Sequence, residues 1–258
     1  MLQQIVKISL IGGLINLDDV PLIQTMVSQP IVAAPLIGWI FGDVITGLVI
    51  GAFLELLVVY LLPIGCAIPL DGSLAAIIAT GICILVGESS FPGHREALIS
   101  LAIALSLPFS ALAQKGSVVV RKLNGRISDH AQRAVLDERL RKIGFFHFSG
   151  VGLFYLRSFS LCLISLFIAV PLLKSSAPFL PQGLFQGLKL LYFAYPMIGI
   201  AFIFDAFRNR ALYGLFALSF LLATLFSTLF PLPAWAAFGI PCILLGTLYG
   251  MTEALKGK

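Results

Sequence analysis

This sequence has little charge. Asp, Glu, Lys and Arg together make up 11% of its 258 residues, against about 25% in an ordinary soluble domain. Cysteine is scarcer still, at four residues. Cys66, Cys83, Cys162 and Cys242 stand far apart in apolar surroundings, with no C-x-x-C and no His/Cys pair at metal-ligand spacing. That excludes a recognisable metal motif and leaves four small buried thiols. No Walker loop, nucleophile elbow, zincin helix or dinucleotide fingerprint occurs either. The chain is therefore expected to carry no catalytic centre, metal or cofactor of its own.

What is present in excess is apolar surface. Hydrophobic residues reach 59% and mean hydropathy is +1.02. A soluble fold of this length has nowhere to hide so much of it, so the solvent for most of the chain is lipid. The 17 Lys+Arg against 12 Asp+Glu give a net charge of +5, which would ordinarily raise nucleic-acid binding. The distribution argues against it. Eight basic residues (Lys115, Arg121, Lys122, Arg126, Arg133, Arg139, Arg141 and Lys142) face only Asp129, Asp137 and Glu138 in the same stretch, and the rest of the chain is neutral. One cytoplasmic segment obeying the positive-inside bias accounts for this.

Apolar stretches follow one another along the chain: 5–17, 30–62, 73–86, 97–120, 148–173, 185–204, 211–230 and 235–251. The first is expected to be a retained membrane segment, since no small-x-small cleavage site follows it. The second is too long for one span and contains Asp43 and Glu55, while the third is short of the roughly 20 residues a crossing needs. Gly, Pro and carboxylates at such depth predict broken or re-entrant helices, because irregular backbone is tolerated in a membrane only where protein or a polar cavity surrounds it. Pro63 with Gly65, and Pro69 with Asp71 and Gly72, are the expected break points. The fold class is thus an all-α polytopic membrane protein, a bundle of transmembrane helices with broken segments in its N-terminal half. Three regions follow: 1–114, a membrane region with the candidate binding segments; 115–146, a basic cytoplasmic loop or surface helix; and 147–258, C-terminal membrane helices. With 115–146 inside, the basic residues near 208–210 and 256–258 fall on the same side, which predicts a cytoplasmic C-terminus.

The polar residues within these apolar stretches are the candidates for function. Gly38 and Gly42, and Gly47 and Gly51, have the spacing that lets membrane helices approach closely. Glu55 lies one turn after Gly51, and a carboxylate at mid-membrane costs about 2.5–3.5 kcal/mol on insertion scales. It needs a polar cavity or a partner, and as a substrate ligand it would accept hydrogen bonds from sugar hydroxyls. Asp71 suits either a helix cap before Ser73 or a re-entrant tip that touches substrate. Gln29, before Pro30, offers a donor and an acceptor, or simply starts a helix. Asp43 reads as a membrane boundary or turn. His147 and Arg157 are supporting candidates; an Arg within a span pairs with a carboxylate or snorkels. His94 and His130 read as solvated.

Taken in order, these residues form a recognisable string: Leu17-Asp18-Asp19, Gln29-Pro30, Gly38-x3-Gly42-Asp43, Thr46-Gly47, Ile50-Gly51, Glu55, Ile64-Gly65, Ala67, Asp71 and Leu74-Ala75-Ala76-Ile77-Ile78. The stretch from Leu17 to Thr80 closely resembles the C subunit (IIC) of mannose/fructose/sorbose-type phosphotransferase systems, and His147 with Arg157 ten residues later is similar to a further segment of that family. The resemblance implies a bacterial cytoplasmic membrane subunit that pairs with a membrane IID subunit, as a homo-oligomer within a hetero-oligomeric complex. Together the two would bind a hexose and carry it inward, while soluble IIA and IIB components pass phosphate from phosphoenolpyruvate to the sugar. Glu55, Asp71 and Gln29 are the substrate contacts it implies. Two departures stand out: the basic stretch is more highly charged than in the family, and Gln29 occupies a position where a basic residue is common. The residues alone leave open an ion-coupled secondary transporter of a small polar solute, with Glu55 or Asp71 as the ion site, and a non-transporting scaffold subunit.

Overall fold

A computed structural model describes residues 1–61, 68–87, 89–139, 141–206 and the single position 221. Packing divides the chain into Met1–Ile200 and Ala201–Lys258. The buried core, the cavity around Glu55 and the ion pairs Arg95–Asp43 and Arg157–Asp71 lie within the first unit, and the second begins in the last turns of the final described helix. Among the described residues seven α-helices run in order: α1 Leu2–Asn16, α2 Pro30–Phe41, α3 Val44–Val58, α4 Gly72–Val86, α5 Arg95–Leu136, α6 Arg141–Ser176 and α7 Gln182–Ala206, with a short 3-10 turn Ala177–Phe179 after α6. No strand occurs among the described residues.

Local chemistry sets the boundaries. Pro30 opens α2, where its missing N–H costs nothing. Gly42 closes α2 in the left-handed region at φ +93°, a conformation that favours glycine. Asp43 then starts α3, accepting from the Thr46 N–H at 3.0 Å and the Thr46 hydroxyl at 2.6 Å. The long apolar stretch is therefore a tight helical hairpin of 12 and 15 residues, each arm too short to cross a hydrocarbon core. A Cβ on Gly47 would lie 2.5 Å from the Ala34 carbonyl oxygen, and one on Gly51 2.6 Å from that of Pro30. These two glycines let the arms touch backbone to backbone. Gly42 does not share that role: nothing lies within 4 Å of its missing Cβ, and its work is the turn.

Helix α4 is the centre of the bundle. Fourteen of its 15 residues are buried, and it touches α1, α2, α3, α5 and α6, as a helix apolar on every side should. A run of small side chains on α5 (Ala102, Ser106, Ser110, Ala113 and Ser117) is buried within the same bundle. Helix α7 adds Tyr195, whose hydroxyl donates to the Ser100 carbonyl at 3.1 Å, and Tyr192, edge-on to Phe53 with centroids 5.0 Å apart.

Three described helical segments are long and apolar enough to span a membrane: Arg95–Leu136, Arg141–Phe179 and Gln182–Phe202. Large apolar side chains such as Trp39, Phe167, Leu190 and Met197 are exposed, as expected of a multi-pass membrane protein. The 97–120 span is one part of a longer element. Helix α5 has 42 residues, roughly 60 Å at 1.5 Å each, twice the hydrocarbon thickness of about 30 Å. The basic stretch is its distal part, followed by a turn at Asp137 and Glu138 and the first turns of α6. Hydropathy sees the apolar half only; residues 121–136 remain helical because Arg, Lys, Leu and Ala are good helix formers. The spans expected at 211–230 and 235–251, and the break point at Pro63 and Gly65, lie outside the described residues.

Candidate functional site

The C-terminal end of α3 and the N-terminal ends of α2 and α4 meet beside α5 around a cavity of about 380 Å³. Its wall includes Asp19, Gln29, Glu55, Asp71, Ser73 and Arg121. Glu55, Asp71 and Gln29, the three candidates for substrate contact, thus line one space. Asp43 and His147 do not. Asp43 sits at the other end of α3, paired with Arg95 at 3.0 Å, and His147 is exposed near the start of α6 with its ring against Phe148. Arg157 lies behind the cavity wall, holding Asp71.

Glu55 is half-buried, and its Oε2 accepts from the Ile31 N–H in the first turn of α2 at 3.2 Å. The Glu55 carboxylate thus meets the N-terminal end of α2, where backbone N–H groups are free to donate. Gln29 caps α2 through its extended backbone (φ −61°, ψ 139°) while its side chain makes no capping bond, so the amide is left on the cavity side.

Asp71 is a hub. Its Oδ1 accepts from the Leu74 N–H and from Asn16 Nδ2, each at 2.9 Å. Its Oδ2 accepts from Arg157 at 2.8 Å, with both side chains nearly buried at 5% and 7% exposure. Arg157 also donates to Asn16 Oδ1 at 2.6 Å and to the Ser117 hydroxyl, and Ser158 donates to Asn16 Oδ1 at 2.5 Å. The Asp71 carbonyl accepts from Ser110 at 2.8 Å, and Gln114 donates to the Ile68 carbonyl. Asp71 therefore caps α4 and ties it through its carboxylate to α1 and α6 and through its carbonyl to α5. About four lone-pair sites are available to a carboxylate, and three of them are filled.

A second carboxylate orders the loop that leads to Gln29. Asp18 Oδ1 accepts from the Thr25 N–H at 2.8 Å and its hydroxyl at 2.9 Å; Oδ2 accepts from the N–H groups of Val27 at 2.9 Å and Ser28 at 3.4 Å. The Thr25 N–H bond, the largest of several contributions, holds the Asp18 carboxyl below its ordinary range. Gln24 and Met26 adopt φ of 57° and 66° inside this loop, a left-handed conformation that costs free energy in non-glycine residues. The Asp18 bonds hold it in place.

Sequence reasoning missed several of these residues. Asn16 was detectable as a polar group at the end of an apolar run; Arg157, named from the sequence as a supporting residue that pairs with a carboxylate or snorkels, is paired with Asp71. Asp18 was part of a family string without a role. Ser73, Ser117 and Ser158 gave no signal, since serine is ordinary in membrane helices.

The family model described as the sorbose-specific IIC component of the PTS system matches residues 2–245. The sorbose-specific EIIC component of Klebsiella pneumoniae is 28% identical over 219 residues, covering 84% of this chain and 79% of its own length. The mannose-specific EIIC component of Escherichia coli K12 is 26% identical over 221 residues, covering 85% and 79%. Among solved structures, one titled only as a membrane protein superposes with a TM-score of 0.72 at 24% identity, covering 97% of this chain and 94% of that one. A chain of the mannose transporter ManYZ in complex with microcin E492 does so with a TM-score of 0.53 at 23% identity and the same coverage. These two establish likeness of fold.

Proposed function

The chain belongs to the family of sorbose-specific IIC components, membrane subunits of sugar phosphotransferase systems, and from that premise we propose that it binds a hexose at Glu55 and carries it inward for phosphorylation by partner components. The observation that supports this most is the gathering of Glu55, Gln29 and Asp71 around one cavity, of a size that small-molecule sites occupy. Each sugar hydroxyl both donates and accepts. Glu55 and the open site on Asp71 supply acceptors, and the Gln29 amide supplies a donor and an acceptor. Sorbose and mannose, named in the relatives, are the first candidates for the sugar.

In this reading the chain is not catalytic alone. It works in the bacterial cytoplasmic membrane with a IID subunit, and soluble IIA and IIB components bring the phosphoryl group. The basic end of the α5–α6 hairpin and the C-terminus face the cytoplasm. Phosphorylation there makes uptake one-way, because a charged product does not recross lipid. The test is equilibrium binding of labelled mannose and sorbose to the chain purified with its membrane partner. Glu55→Gln should weaken binding about tenfold or more, the scale of one lost charge-assisted hydrogen bond, with the complex still assembled. Unchanged affinity in that variant would overturn the assignment of Glu55.

A further inference from the structure

Four buried side-chain atoms have no hydrogen-bond partner among the described residues: Ser73 Oγ, Thr80 Oγ1, Ser100 Oγ and Asn124 Oδ1. Ser73 is the member of this group that lines the Glu55 cavity. It is 5% exposed, and a buried hydroxyl left unpaired is costly enough to require an explanation.

Other helical serines in this protein find a partner one turn back. Ser9, Ser117 and Ser158 donate to the carbonyls of Ile5, Ala113 and Phe154, the usual refuge of a hydroxyl inside an apolar helix. Ser73 has no such option. It is the second residue of α4, so no helical carbonyl precedes it, and the Leu70 carbonyl already accepts from the Gly72 N–H at 2.9 Å. Asp71 Oδ1, the nearest acceptor in sequence, is occupied by Leu74 and Asn16. Ser73 stands at a helix start, on the wall of a cavity that also carries the carboxylates of Asp19, Glu55 and Asp71.

We propose that Ser73 is a substrate contact that selects for one particular sugar hydroxyl. Its Oγ–H donates to that hydroxyl's oxygen while the hydroxyl's own hydrogen goes to a cavity carboxylate, Glu55 or Asp71. The two hydrogen bonds satisfy Ser73 and complete the donor–acceptor pairing of one sugar position. This rests on the sugar-binding reading above and adds a determinant of specificity to it, since a site built to bond a hydroxyl discriminates against the analogue that lacks it.

The experiment uses the full chain co-purified with its membrane partner. Mannose, sorbose and their singly deoxygenated analogues are bound to the wild type, to Ser73→Ala and to Thr80→Ala. Thr80 carries an equally unpartnered hydroxyl away from the cavity and serves as the control. Ser73→Ala should bind the parent sugar roughly 3- to 10-fold more weakly, and one deoxy analogue penalised in the wild type should show a smaller penalty, the part that remains coming from the lost bond to the carboxylate. Thr80→Ala should keep the wild-type profile. If Ser73→Ala keeps every deoxy penalty, or if Thr80→Ala weakens binding as much, Ser73 is not a contact and the sugar site stands without it. If the wild type binds neither sugar nor any analogue, the sugar reading falls and Ser73 with it.

Discussion

Among single residues, the carboxylates of this protein divide by what already occupies them. Glu55 carries one backbone hydrogen bond in the described structure and is the group most available to a ligand. Asp71 is mostly committed to the buried network, and Asp18 wholly to its loop. Asp18→Asn should therefore leave the complex assembled while weakening sugar binding, because the loop ending at Gln29 loses its anchor; wild-type affinity in a binding titration would contradict this. The sign of the pH effect follows. A carboxyl depressed in the folded state contributes stability that is present above its ordinary pKa of 3.8 and is lost as pH falls through the lower folded value. Single residues are also where the sequence was least legible. A serine or asparagine in an apolar stretch looks the same whether it is buried against a carbonyl, like Ser158, or left open on a cavity wall, like Ser73. What distinguishes them is which acceptors the fold brings near, and that is long-range information.

Between elements, two interactions fix the geometry. Gly47 and Gly51 bring α2 and α3 into backbone contact, so Gly47→Leu should prevent recovery of folded protein by gel filtration. Gly125→Ala, on the exposed distal part of α5 with open space around it, should be neutral or stabilising by up to about 1 kcal/mol. The Asp71–Arg157 pair is the second. Removing one partner of a buried ion pair costs about 3–5 kcal/mol because the other charge is left unpaired, so Arg157→Met should lower the thermal midpoint sharply. Asp71→Asn combined with Arg157→Met should cost less than the sum of the two, and strict additivity would show that the pair is not coupled. Much of the helix arrangement was legible beforehand. Glycine and proline within 30–86 marked the broken helices, and Asp43 marked the turn. The partnership of Asp71 with Arg157 was not, since it joins positions 86 residues apart.

The described part of the Met1–Ile200 unit is a bundle built around the buried α4, and the distal part of α5 with the start of α6 carries seven basic residues beyond the apolar stretch 97–120. Hydropathy and charge located that boundary from sequence; they did not show that one continuous helix crosses it, because helix length depends on propensity rather than polarity. If the hairpin end is cytoplasmic, Gly125→Cys should react with a membrane-impermeant thiol reagent in inside-out vesicles and not in intact cells. Reaction from outside would invert the proposed topology. Cys83 and Cys162 are buried and should contribute little background.

Above all, this chain is proposed to move sugar for phosphorylation rather than for accumulation as such. That is decided by uptake of labelled mannose and sorbose in cells expressing the chain with its IID partner, with and without the soluble phosphoryl donors, identifying the chemical form inside. Sugar phosphate should be found inside the cell only when the donors are present. Unmodified sugar accumulating without donors, in step with an ion gradient, would contradict the phosphotransferase reading and make Glu55 and Asp71 candidates for ion coupling.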